Sequence, residues 1–173
     1  MIDAKMEQAM NDQINAEMFS AYLYQAMAAW FSEENLDGFA IWMTAQAQEE
    51  MVHAMKFYNF ILERGGRVQL QAIEEPPAEW DSPVAAAKAA LEHEEYITGR
   101  INDLMDLANE LNDYASMPIL NWFVEEQVEE EDSAGELVGK LEMVADSNNG
   151  VYMLDKEYGQ RPVPFQMSEE EAE

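Results

Sequence analysis

Cysteine is absent from this chain of 173 residues. That excludes disulfides, thiol chemistry and every site built on thiolate ligands. Bases are scarce too: nine Lys and Arg stand against thirty-six Asp and Glu, a formal charge of −27. Nucleic acid is not an expected partner, because phosphates call for a basic surface. No apolar run approaches a membrane span, since acids interrupt each one. The opening Met1-Ile-Asp-Ala-Lys-Met6 lacks a basic stretch followed by an apolar one, so no secretory signal is expected and a cytoplasmic location fits. The acidic excess itself has two readings: a strongly solvated surface, as in a salt-adapted protein, or a surface that gathers cations.

Glycine and proline are few and act as punctuation, and what lies between them is helical. Apolar residues recur at steps of three and four. The pattern predicts an all-α chain with helices over about 5–31, 39–64, 83–111 and 116–145. Gly65-Gly66 closes the second helix, Ser82-Pro83 opens the third, and Ser116 with Pro118 opens the fourth. Asn148-Asn-Gly150 is read as a break before a short fifth helix over 151–158. The domain is expected over 1–160, followed by an acidic, flexible tail over 161–173. The links between helices one and two, and three and four, are short and make antiparallel pairs. The link over 67–81 is too long for a hairpin and reads as a crossover, which gives a four-helix bundle of two hairpins.

The stripes carry the functional signal. They run Met10, Ile14, Glu17, Ala21, Tyr24, Ala28, Phe31; then Phe39, Met43, Gln46, Glu50, His53, Phe57, Phe60; then Ala87, Leu91, Glu94, Ile97, Ile101, Met105, Ala108; then Leu120, Phe123, Gln127, Glu130, Ala134, Leu137, Leu141. A carboxylate interrupts each near its middle. Antiparallel helices of similar length bring Glu17, Glu50, Glu94 and Glu130 to one level inside the bundle. Each isolated buried charge costs several kcal/mol even after relaxation. No Lys or Arg lies on these stripes to offset that cost, so protons or a multivalent cation must. Glu50 and His53, spaced i, i+3, share a helix face and can grip one ion. An imidazole among oxygens tilts the choice from calcium or magnesium to iron, manganese or zinc.

Four segments carry a resemblance: Gln13-Ile-Asn-Ala-Glu17, Ala47-Gln-Glu-Glu-Met-Val-His53, His93-Glu94, and the run from Trp122 to Asp132. Together they resemble the non-haem ferritins of bacteria and archaea, over about residues 3–160. The resemblance implies a ferritin-like bundle with the long crossover and the short fifth helix. It implies a ferroxidase that oxidises Fe²⁺ with oxygen or hydrogen peroxide and stores Fe³⁺ as mineral inside a homo-oligomeric shell of 24 subunits. Glu17, Glu50 and His53 would hold the first iron; Glu50 would bridge to a second, held by Glu94 and Glu130. Gln127 would position oxygen or water, and Tyr24 matches a redox-active tyrosine. Glu49, Glu126 and Glu129 match a third iron position that shares Glu130. By itself the run 126–132 reads as a solvated face; beside the bundle site it reads as metal-binding. Trp122 reads as core packing more than as an electron donor, and His93 points off its stripe and is not taken as a ligand. The fourth helix carries Gln127-x-x-Glu130 where bacterioferritins and rubrerythrins carry a second Glu-x-x-His, so the second position has no histidine. Met51 matches the bacterioferritin haem methionine, but methionine also occurs there in non-haem ferritins, and haem is not expected. The competing functional reading is a non-storing di-iron oxidase or peroxidase of rubrerythrin-like type.

Overall fold

A computed structural model describes residues 1–164. The helices are α1 (Ala4–Glu33), α2 (Asp37–Glu63), α3 (Pro83–Leu111), α4 (Met117–Val144) and α5 (Asn148–Tyr158). The expected acidic tail falls mostly on residues 165–173, outside the described residues.

Local chemistry sets the helix ends. The side chains of Asp3 and Ser82 accept from the amides of Lys5 and Ala85 and cap α1 and α3. Three helices end alike, on a residue with positive φ: Asn35, Gly65 and Asn112. After α2, Gly65 N–H donates to Leu62 O and Gly66 N–H to Ile61 O. That pairing satisfies the last carbonyls and turns the chain out of the helix. Ser116 differs from its expected part. It makes no side-chain cap; its hydroxyl donates to Asp113 and accepts from Arg64, tying the end of α2 to the α3–α4 turn. The expected break at 148–150 is also corrected. These residues form the first turn of α5, because Ser147 accepts from Gly150 N–H and caps it.

α1 packs on α2, α3 on α4, and α1 also on α3. The crossover is stitched along α1 by polar side chains. Asn11 bonds Arg67 and Gln69, Asn15 donates to Ala72 O, and the crossover delivers Trp80 against Trp30. α3 therefore starts beside the end of α1 and runs antiparallel to it. α5 folds back on α2 and α4. Asp155 on α5 accepts from Phe39 N–H at 3.0 Å, so it caps α2 across 116 residues of chain. Only glycine fits at position 38, where a Cβ would lie 1.7 Å from Asp155 O.

The core is split. One apolar cluster holds Tyr24, Trp30, Phe31, Phe39, Met43 and Leu137, and the other holds Met6, Met10, Ile14, Phe57, Ile97 and Phe123. The stripes are buried nearly as read, but Phe60, Leu91 and Met105 sit at the edge, while Ile61, Ala90 and Leu104 are inside. On α3 the alanines Ala86, Ala87 and Ala90 leave room for the aromatics of the first cluster. Between the two clusters lies a layer of carboxylates.

Candidate metal centre

Glu17, Glu50, Glu94 and Glu130 are all buried in that layer, each from a different helix, together with His53. They reach it because each continues the apolar face of its helix. Packing of the flanking residues keeps the four carboxylates at 7% exposure or less.

On the α1–α2 side, ligand atoms of Glu17, Glu50 and His53 lie within 4.8 Å of one another. His53 Nδ1 is 3.3 Å from Glu50 Oε2. The imidazole is boxed in by Trp122 and Phe123, with ring centroids at 5.6 and 5.7 Å. Gln13 Nε2 donates to Glu17 Oε1 at 2.8 Å, while Glu17 Oε2 is buried and makes no hydrogen bond. A buried carboxylate oxygen without a donor, beside a second carboxylate and an imidazole, fits a cation. The donor set suits iron, manganese or zinc.

On the α3–α4 side, neutral donors hold the carboxylates. The Tyr24 phenol donates to Glu94 Oε1. Gln127 Nε2 reaches Glu94 Oε2 at 3.4 Å, Glu94 O at 3.3 Å and Thr98 Oγ1 at 3.2 Å. Gln46 Nε2 donates to Glu130 Oε2 at 2.7 Å. Among the described residues, Glu50, Glu94 and Glu130 do not form a second triad as tight as the first. The other such triad is His53, Glu126 and Glu130. The physical reason is that Glu94 and Glu130 are turned toward these donors.

Electrostatics follow from burial. Desolvation, then the charge of Glu50, pushes Glu17 well above the usual carboxylate range. Glu50 is raised by desolvation and then by Glu94 and Glu130. Burial lifts Glu94 and Glu130 to about 7. Tyr24 is raised by burial and the charge of Glu94, which keeps its phenol protonated. Buried acids this close cannot all ionise without positive charge nearby; they take up protons or a cation.

The flank facing the third expected position is mixed. Glu126 is half-buried, with Oε1 3.7 Å from His53 Nε2. Glu129 is exposed. Glu49 is already paired: Arg161, beyond α5, places Nη2 2.5 Å from Glu49 Oε2 and lies over the Trp42 ring. Arg161 Nη1 is buried without a partner. His93 stays off the cluster, with Nε2 2.7 Å from Ser20 Oγ. Trp122 lies under Lys56 Nζ at 4.0 Å.

The ferritin-like domain family matches residues 7–144, which contain Glu17, Glu50, His53, Glu94 and Glu130. The chain belongs to the ferritin family. It is 37% identical over 161 residues to a bacterial non-heme ferritin of Staphylococcus aureus (strain USA300), covering 93% of this chain and 97% of the relative. A bacterial non-heme ferritin of Bacteroides fragilis (strain 638R) is 38% identical over 161 residues, 93% of this chain and all of the relative. Among solved structures, an open pore ferritin from the hyperthermophilic archaeon Archaeoglobus fulgidus superposes with a TM-score of 0.92 at 49% identity, over 94% of this chain and 100% of that one. A humanized archaeal ferritin gives a TM-score of 0.93 at 46% identity, over 95% and 100%. The ferritin-like match ends before α5, so Asp155 and Arg161 lie beyond it.

Sequence reasoning quoted Gln13 without a role and placed Gln46 on a stripe without one. Both had a signal, a polar side chain on or beside a buried face. Arg161 had none beyond being one of only nine bases.

Proposed function

We propose that this chain is the subunit of an iron-storing shell and a ferroxidase. The observation that carries this is the buried triad of Glu17, Glu50 and His53, with Glu17 Oε2 left without a donor between two apolar cores. Ferrous ion is the substrate. Glu17, Glu50 and His53 take the first ion. Glu50 reaches toward the second, for which Glu94 and Glu130 turn from their amide and phenol donors. Each of two ferrous ions gives up one electron. Dioxygen accepts the pair with two protons and leaves as hydrogen peroxide; hydrogen peroxide, as oxidant, accepts the pair with two protons and leaves as two waters. The pair of ions serves as both template and electron source. We take Tyr24, which donates to Glu94, as the redox-active side chain and Gln127, beside Glu94, as the one that orients oxygen or water.

Carboxylate ligation without a histidine in the second half favours turnover over retention. Product Fe³⁺ moves out past Glu126, Glu129 and Glu49, the third position, toward an acidic interior where mineral nucleates. The number of subunits proposed is 24, in the cytoplasm. Among the described residues no helix is long and apolar enough to cross a membrane. The outer face of α1 and α2 carries an apolar groove of ≈750 Å³ lined by Met18, Tyr22, Met51, Val52, Met55 and Ile73, a contact suited to a second copy. Met51 belongs to that groove, and no haem is proposed there.

The test is anaerobic loading with Fe²⁺, admission of air, then sizing and iron analysis per particle. Ferric absorbance should rise faster than in protein-free buffer and co-elute with a particle of several hundred kilodaltons. A dimer that oxidises iron but retains none would replace storage with the non-storing oxidase. Oxidation no faster than in buffer would remove the ferroxidase reading altogether.

A further inference from the structure

A buried amide beside Glu17 has no part in the oxidation just proposed. Gln13 is fully buried on α1, one turn before Glu17. Its amide bridges two charged side chains from different helices. Arg100 on α3 donates from Nε to Gln13 Oε1 at 2.8 Å, and Gln13 Nε2 donates onward to Glu17 Oε1 at 2.8 Å. A guanidinium has only donors, so Arg100 takes the amide oxygen and leaves the amide nitrogen to donate to Glu17. The amide between them therefore has a single sense: oxygen toward Arg100, nitrogen toward Glu17. Arg100 is itself steadied by Tyr96, whose hydroxyl lies 3.1 Å from Nη1.

This relay makes the two oxygens of Glu17 unequal. Oε1 is occupied by the amide; Oε2 is buried, without a hydrogen bond, and belongs to the carboxylate grouped with Glu50 and His53. We infer that Gln13 and Arg100 are positioning residues for Glu17, holding Oε1 so that Oε2 alone is offered to the first metal position. The pair thereby limits that position to one oxygen from α1 and sets its coordination number. It acts from outside the site, because Arg100 is only partly buried and lines a small surface cleft with Asp12 and Asp103. The inference rests on Glu17 being a ligand.

The test uses the intact assembled protein, metal-free and anaerobic, titrated with Co²⁺. Visible absorption per bound ion falls as the coordination number rises, so the spectrum reads ligation with no turnover. Gln13→Leu frees Glu17 Oε1. It is expected to weaken binding at the first position by about tenfold or more, the usual cost of losing an outer-shell partner, and to lower and shift the Co²⁺ bands. Arg100→Met should move both readouts the same way by less, and Arg100→Lys, which restores a cationic donor, should return them toward the parent. Should Gln13→Leu fail to assemble, Arg100→Met and Arg100→Lys carry the test alone. Parent-like spectra and affinities in Gln13→Leu, or in Arg100→Met, would overturn the inference. Absence of Co²⁺ binding in the parent would instead overturn the metal-site reading on which it rests.

Discussion

The two halves of the carboxylate layer are built differently. The α1–α2 half joins Glu17 and Glu50 to an imidazole and leaves one buried oxygen with no donor. The α3–α4 half has no histidine, and Tyr24, Gln127 and Gln46 supply its carboxylates with neutral hydrogen bonds. The first half needs a proton or a cation to offset its buried carboxylates. The second is nearly satisfied as it stands, so an ion there must compete with an amide, a phenol and a proton. In the function proposed above, the first half becomes a demanding metal position and the second a permissive one, joined through Glu50. That inequality suits the binding, oxidation and release of iron proposed above.

The largest effect is expected at Glu50, which the proposed function gives to both metal positions. Glu50→Ala should slow fast ferrous oxidation by about 100-fold or more, since electron transfer needs both ions together. Stopped-flow absorbance checks it, and an unchanged rate would dismiss the shared-ligand role.

The next largest effect separates the halves. His53→Ala should lower Zn²⁺ affinity at the tight position by about tenfold, near 1.4 kcal/mol, and Glu130→Ala should leave that step within a few-fold. Calorimetric titration resolves the two steps. Equal losses at the tight step in both variants would erase the distinction.

A third, smaller effect is set by pH. Glu94 and Glu130 hold protons up to about 7 in the folded chain. An unfolded chain releases them near the ordinary carboxylate value, lower down. The folded state therefore binds more protons between those values, and its stability contribution from this pair declines as pH rises through about 7. A divalent ion must expel those protons below that pH and need not above it. Metal-free protein should thus lose thermal stability between pH 5.5 and 8, Zn²⁺ should restore more at pH 8, and Glu94→Gln should flatten the difference. Melting curves with and without Zn²⁺ at both pH values decide it. A parent no more pH-sensitive than Glu94→Gln would show that this pair does not set the trend.

The smallest effect lies on the flank. Arg161 holds Glu49 as an internal cation. Arg161→Ala should strengthen a third Tb³⁺ or Zn²⁺ site by a few-fold, of order 1 kcal/mol for a half-exposed pair, without changing the first two. Site-resolved titration by lanthanide luminescence is the measure. A third site no tighter than in the parent would show that Arg161 does not compete there.

Much of this molecule was legible in one dimension because helical periodicity is a local property. Glu17, Glu50, Glu94 and Glu130 each sit in register with an apolar stripe, and packing four stripes face to face brings them together whatever the detail. Gly65-Gly66 and Ser82-Pro83 marked their boundaries for the same reason: a cap is decided within one turn of chain. Reading failed where the deciding partner was remote. The break expected at 148–150 is a miss of another kind, since the Ser147 cap that starts α5 there lies within one turn. Leu91 looked like core by spacing, yet the rotation of α3 against the aromatics of its neighbours turned Ala90 inward.

Read in one dimension, the chain already required four helices to bury four acids and one histidine at a common height. That followed from spacing alone and made a cation the economical solution. Tertiary structure alone decided how each carboxylate is held: which oxygen of Glu17 faces Gln13, which donors occupy Glu94 and Glu130, and that Arg161 reaches Glu49 across 112 residues of chain. The physical reason is range. Helical periodicity works over a single turn, whereas hydrogen bonds and ion pairs between helices depend on crossing, rotation and docking that no segment sets alone.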